Sequence, residues 1–341
     1  MLVTTYQAGK LVMLRPDGGH LNTHFRAFSK PMGLAVAGDR LAIGTRVEIW
    51  EYHNAPAVAR GLEPAGRHDA CFLPRSSVCT GDVQIHEMAW ADDDELWFVN
   101  TRFSCLCTHS FVPRWKASFV SALAPEDRCH LNGLGLVGGR PGFVTALGTT
   151  DTRSGWRENR ATGGVLMDVA SGEVVCRGLS MPHSPRWYDG RLWVLESGGG
   201  GVGCVDPATG KYEAVAVLPG FTRGLDFCGP RAFVGLSQVR ESAVFSSIAV
   251  AERPVAERCC GVWVLDSRTR VTRPVAPSRA RTATASPNSR VTGRPSASAP
   301  GSPGSRAARR AASRRSRSTA AGPSRRATAA RSGNRLPAAG R

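Results

Sequence analysis

Lysine and acid are scarce in this chain, in different places. Only four of its 44 basic residues are Lys. From position 273 to 341 there is no Asp, Glu, Lys or aromatic residue, while 16 Arg remain. Residues 1–272 hold 28 basic and 27 acidic side chains, a net charge of +1, so the formal +17 belongs to one end of the chain. A neutral body excludes a basic nucleic-acid module there. No apolar run reaches the roughly 18–20 residues that span a bilayer, so no membrane partner is expected. The opening MLVTTYQAGKLVML lacks a charged head, an apolar block and a small-residue cleavage site, which makes a cytoplasmic location the expectation. No cysteine pair has a second pair at zinc-ribbon spacing. The ten Cys lie mostly in apolar runs, as reduced core residues do, and Cys105 and Cys107 share one strand face. There is no GxSxG elbow, and Ser184 beside His183 makes no triad. The run ESGGGGVG (196–203) joins two strands instead of opening a helix, which argues against a nucleotide-phosphate loop.

The segment 273–341 is built from Arg, Ala, Ser, Pro, Thr and Gly with a few Val, Asn and Leu. It cannot bury enough apolar area to offset chain ordering, so a disordered tail is expected. An Arg-rich arm for an anionic surface is one reading. Translation of GC-rich DNA in a shifted frame produces the same alphabet, and the composition favours it.

What is present in 1–272 is a repeat. An apolar strand, a tight polar turn and a second apolar strand recur as GLAVAGDRLAIG (33–44), EMAWADDDELWFVN (87–100), NGLGLVGGRPGFVTALG (132–148), SPRWYDGRLWVLES (184–197) and RGLDFCGPRAFVGLS (223–237). A third strand follows each, at 47–53, 104–110, 163–169, 201–206 and 260–266. The N-terminus enters the same frame partway: LVTTYQAGKLVMLRPDGG (2–19) aligns with LWVLESGGGGVGCVDPATG (192–210). Second strands begin near Leu2, Leu41, Leu96, Phe143, Leu192 and Phe233, at spacings of 39, 55, 47, 49 and 41. Four short strands per unit at such a period predict an all-β, six-bladed β-propeller over 1–272. A β-sandwich also shows short strands and regular turns, but six near-regular copies favour the propeller. The first copy lacks its own first strand, and the pattern is expected to break near DSRTR (266–270). The ring is therefore expected to be unclosed, with exposed strand edges.

The motifs HEMAW…ELWFVNTRFSCLCT (86–108), SFVPRWK (110–116), ALAPEDRCHLNGL (122–134), VTALGTTDT…GWRE (144–158), GLSMPHSPRWYDGRLWVLESG (178–198), LPGFTRGLDF (218–227) and FVGLSQVRES (233–242) resemble an uncharacterised bacterial family of propeller-like proteins over about residues 2–269. The resemblance implies the propeller and an in-frame closing segment that the Arg-rich sequence replaces. It also implies an earlier start, and no particular chemistry.

In a propeller, the segments entering each first strand and the loops after each second strand share one face. The unusual residues fall in those two sets. Nearest the axis should lie Lys30, His86, Glu87, His130, Asn132, His183 and Arg223, ringed by Arg46, Asn100, Arg102, Asp151, Gln238 and Arg240. His86, His130 and His183 are expected to enter three consecutive blades at equivalent positions. Three imidazoles meeting at an axis suit a divalent metal, with Glu87 as a carboxylate ligand or general base. None has a second His three or four residues away, so this rests on geometry; anion binding or hydrogen bonds to strand ends would also use them. The cationic set Lys30, Arg46, Arg102, Arg223 and Arg240 suits a carboxylate, phosphate or sulfate group. Pairing with Glu87, Asp151, Glu196 and Glu241 is the alternative. Trp90, Trp97, Trp187 and Trp193 lie in strands as packing between units. Three functions follow: a module holding a small anionic ligand; a metal- or His-assisted hydrolase, lactonase or lyase with catalytic His86, Glu87, His130 and His183; or a remnant without present function. Fold alone does not choose among them. The specified polar face, with no complete catalytic set, favours ligand binding.

Overall fold

A computed structural model describes residues 1–239 and 247–275. They form a six-bladed β-propeller of antiparallel meanders. Blade one has three strands, Leu2–Thr5, Lys10–Asp17 and His20–Ala27. Each later blade has four. Their inner strands are Leu34–Ala37, Ile85–Trp90, Leu131–Val137, Pro182–Tyr188 and Phe221–Cys228, and inner strands of consecutive blades pack against one another. Hairpin turns built on Gly38-Asp39, Gly138-Gly139, Asp189-Gly190 and Gly229-Pro230 need left-handed backbone, and Gly38, Gly138, Gly190 and Gly229 supply it at φ of 53°, 54°, 71° and 53°.

Alternation along each strand sends apolar side chains to both faces, where they fill the spaces between blades. Leu11 meets Leu41 and Ile43 between blades one and two; Ile49 meets Phe98 and Met88 between two and three. Val99 meets Leu134 and Val144, Leu166 meets Leu192 and Val194, and Leu195 meets Leu225 and Val234 at the next three interfaces. Among the described residues no such cluster joins blade six to blade one.

Two expectations change. DSRTR does not break the pattern. The Asp266 carboxylate accepts the amides of Arg268 and Thr269, and the Arg270 amide donates to the Asp266 carbonyl; Asp206 builds its turn the same way with Ala208, Thr209 and Gly210. This turn feeds a last strand, Thr272–Pro274, so the ordered body crosses the boundary placed at 272/273. The tail expected to be disordered, from 276 on, lies outside the described residues. Trp187 is 42 % exposed and does not fill an interface, whereas Trp193 is buried between blades five and six. All ten cysteines are free, but only Cys105, Cys107, Cys129 and Cys176 are buried as expected of core residues; Cys79, Cys228 and Cys260 are exposed, and Cys71, Cys204 and Cys259 lie between. No described helix is long and apolar enough to cross a membrane.

Candidate functional site

Each inner strand starts at the axis, and what precedes it sets what the axis sees. Strand register shows which positions correspond. Ile85 pairs with Asn100, Leu131 with Ala146 and Pro182 with Glu196. The next residue is His86, Asn132 and His183 respectively. His86 and His183 are therefore equivalent, and their counterpart in blade four is Asn132. His130 stands two residues earlier, level with Gln84 and Met181. This corrects the expected equivalence of the three imidazoles. Lys30 holds that same place in blade two. All four residues have left-handed backbone, with φ of 48° at Lys30, 55° at Gln84, 51° at His130 and 48° at Met181. Non-glycine residues adopt this region at a cost of about 1 kcal/mol each. All four line one central cavity.

That cavity has a volume of about 540 Å³. Of the residues expected at the site, Lys30, Arg46, His86, His130, His183 and Arg223 line it. The others are turned elsewhere. The Glu87 carboxylate accepts the Leu134 amide at 3.0 Å and pairs with the Arg186 guanidinium, which also donates to the Leu134 and Pro185 carbonyls. Glu87 thus ties three blades together beneath the site and is not placed as a ligand or base. Asn100 is buried, donates to the Cys107 sulfur and accepts the Phe103 amide. Asn132 donates to the Pro182 carbonyl and accepts the Thr145 hydroxyl, which locks the inner strands of blades four and five. Asp151 braces a loop by accepting from the Ser121 amide and Arg128. Arg102 lies 3.8 Å from Asp82 and outside the wall, and Gln238 is exposed away from it. Arg240, and the Glu241 considered as an ion-pair partner, lie outside the described residues.

The hydrogen bonds fix the imidazole tautomers. His86 Nδ1 lies 3.0 Å from the Gln84 carbonyl oxygen, and His183 Nδ1 lies 2.9 Å from the Met181 carbonyl oxygen. A carbonyl only accepts, so both Nδ1 atoms carry the proton. The hydroxyls of Thr101 and Ser197 lie 2.7 and 2.9 Å from the same nitrogens; Thr101 spends its own proton on the Leu131 carbonyl and so accepts from His86. His130 Nδ1 faces the Asp127 carboxylate at 2.9 and 3.0 Å, and that carboxylate also accepts the Trp156 indole N–H at 3.1 Å. The His130 ring stacks obliquely on Trp156 at 4.4 Å and meets His86 edge to face at 4.8 Å, while His183 packs against Phe221 at 5.5 Å. Burial first, then repulsion from His130 and Arg223 at His86 and from Arg223 at His183, holds both well below the usual histidine range. Both are neutral at pH 7.

Charge on the wall is unequal. Arg46 and Asp82 face each other at 3.5 Å, and Asp127 is engaged as above. Lys30 sits over the Tyr6 ring and Arg157 over Trp156. Arg223 is half-buried, and among the described residues its side chain's one hydrogen-bond contact is to the Met32 sulfur at 3.9 Å. Burial pulls its pKa down from the ordinary arginine value, with Tyr6 and Glu87 opposing.

Among the described residues no three His, Cys, Asp or Glu are grouped so as to hold a metal ion. The expected shared ion on His86, His130 and His183 has no counterpart in the geometry, because His130 is out of register with the other two. Residue-level reading missed Asp127, Trp156, Met181 and Tyr6. The run EDRCH carried a signal for the first, an acid three residues before a histidine.

The family described as "Domain of unknown function (DUF4915)" matches residues 1–275, and the chain belongs to that family. No curated protein matches the sequence. Solved structures of similar fold include a chain of the nidogen/laminin complex, with TM-score 0.47, 11 % identity and coverage of 77 % of this chain and 88 % of that one. A streptogramin B lyase aligns with TM-score 0.41 and 11 % identity over 69 % of this chain and 72 % of its own. A PQQ-bound aldose sugar dehydrogenase from Streptomyces coelicolor aligns with TM-score 0.44 and 12 % identity over 70 % and 84 %. These proteins differ in function, and at this distance their likeness carries nothing about ligand or activity.

Proposed function

For this member of the DUF4915 family we propose a ligand-binding role: the axial cavity holds a small anion with Arg223 as its counter-ion. One observation carries the proposal. Arg223 is a half-buried guanidinium on a cavity wall with no carboxylate bonded to it among the described residues. Withdrawing such a charge from water costs free energy unless a partner repays it, and its fork fits carboxylate or phosphate oxygens. His86 and His183 beside it are kept neutral chiefly by burial, with the Arg223 charge adding to it. The cavity volume falls in the range of small-molecule sites.

Calorimetric titration of the full chain with inorganic phosphate, malonate and D-gluconate tests this. At least one should bind, and Arg223→Met should weaken it by about 10- to 100-fold, the loss of charge-assisted hydrogen bonds. Binding that Arg223→Met leaves unchanged, or no binding by any of the three, refutes the role. A second reading, a His-assisted hydrolase, lactonase or lyase, draws support from one feature. The Asp127 carboxylate accepts the Nδ1 proton of His130 on the cavity wall, an acid-imidazole pair of the kind general acid-base catalysis uses. Chemical change in the titrated compounds would distinguish it from binding alone.

A further inference from the structure

Arg223 selects the sign of the ligand; the imidazoles select what else it carries. Because Gln84 and Met181 present carbonyl oxygens to Nδ1, His86 and His183 can offer the cavity only the lone pair of Nε2. The Asp127 carboxylate likewise accepts the Nδ1 proton of His130. Neither Nε2 atom of His86 and His183 has a hydrogen-bond partner among the described residues. The wall therefore sets Arg223, a half-buried cation with no carboxylate bonded to it among the described residues, beside the two acceptors of His86 and His183, and a bare anion would satisfy the first while leaving the acceptors unmet.

We infer that the ligand is a polyhydroxylated carboxylate of sugar-acid type, its carboxylate on the Arg223 fork and its hydroxyl groups donating to Nε2 of His86 and His183. This rests on the anion-binding reading and goes further by naming the ligand class. An amino acid would also bring donors to the imidazoles, as an ammonium group. The wall disfavours it: Lys30, Arg46, Arg157 and Arg223 outnumber Asp82 and Asp127, so a second positive charge meets net repulsion. Hydroxyl groups donate without that penalty. The volume admits a six-carbon chain with its hydroxyls and exceeds what an inorganic anion fills.

The test compares three six-carbon acids by calorimetry on the full chain: D-gluconate, hexanoate, which lacks the hydroxyls, and L-norleucine, which carries an ammonium instead. Gluconate should bind at least about tenfold more tightly than hexanoate, since the deoxy acid leaves buried acceptors unpaired, and more tightly than norleucine. His183→Phe should narrow the gluconate-to-hexanoate ratio. Equal binding of gluconate and hexanoate overturns the hydroxyl inference and leaves the anion site standing. Tighter binding of norleucine overturns the choice of hydroxyl over ammonium. Failure of all three acids to bind overturns the sugar-acid inference, and whether phosphate or malonate still binds decides separately for the anion site. Should His183→Phe fail to fold, long-range ¹H–¹⁵N spectra of the wild-type imidazoles answer instead: Nδ1–H forms at His86 and His183 support the inference, and Nε2–H forms overturn it.

Discussion

His86 and His183 are the residues whose chemistry depends most on their surroundings. Two strand-end carbonyls choose their tautomer, and burial with Arg223 chooses their charge. Their folded pKa values are depressed, so below the unfolded histidine value of about 6.5 the unfolded chain binds protons that the native fold refuses. Stability must then fall as pH falls from 6.5, at a slope approaching about 1.4 kcal/mol per pH unit for each histidine. Denaturant midpoints taken from pH 7.5 to 5 should decline, and His183→Gln should flatten the decline by about one proton. A midpoint independent of pH over that range would contradict the buried neutral state.

At the level of the strand, the site depends on how closely inner strands approach each other. Blade four carries Gly133 and Gly135 on its inner strand, and a methyl added at Gly135 would stand 2.5 Å from the Pro185 carbonyl oxygen of blade five. That obstacle is backbone and cannot rotate away. Gly135→Ala should cost about 1–3 kcal/mol through forced separation of the two strands, read as a lowered denaturant midpoint; an unchanged midpoint would show that the blades yield easily. The same pair of strands is held by Asn132 on the Pro182 carbonyl and by Glu87 with Arg186 across three blades. These polar residues looked like site candidates because they flank the histidines in sequence. They are buried, and partners on neighbouring blades use up their hydrogen-bonding capacity. The left-handed residues Lys30, Gln84, His130 and Met181 mark the complementary device: a sharp turn at each strand entrance that tips one side chain toward the axis.

Over the whole molecule, burial is uneven around the ring. Five successive interfaces are packed by apolar clusters, while blade one has three strands and contributes Leu11 as its one fully buried apolar side chain. A repeat array opens first where a unit has the fewest neighbours. Amides of Lys10–Asp17 should therefore exchange with solvent at least about tenfold faster than those of Arg140–Ala146 and Arg191–Glu196, a difference of about 1.4 kcal/mol in opening. Mass-spectrometric hydrogen exchange reads this directly, and uniform protection around the ring would show blade one to be as well held as the rest.

The blade count, strand order and hairpin turns follow from local pattern: period-two alternation, Gly and Asp at turns, and a unit repeating about every 46 residues. Such features depend on a residue and its near neighbours, so sequence alone determined them. It also placed Lys30, Arg46, His86, His130, His183 and Arg223 on the segments that reach the axis. Which side chains face the cavity was decided only by the tertiary structure. A one- or two-residue difference in strand register puts His130 level with Gln84, and Asn132 level with His86, without any change in the local motif. Partners for Glu87, Asn132 and Asp151 come from other blades or distant loops. Side-chain direction at a strand entrance depends on those long-range partners, which no window along the chain contains.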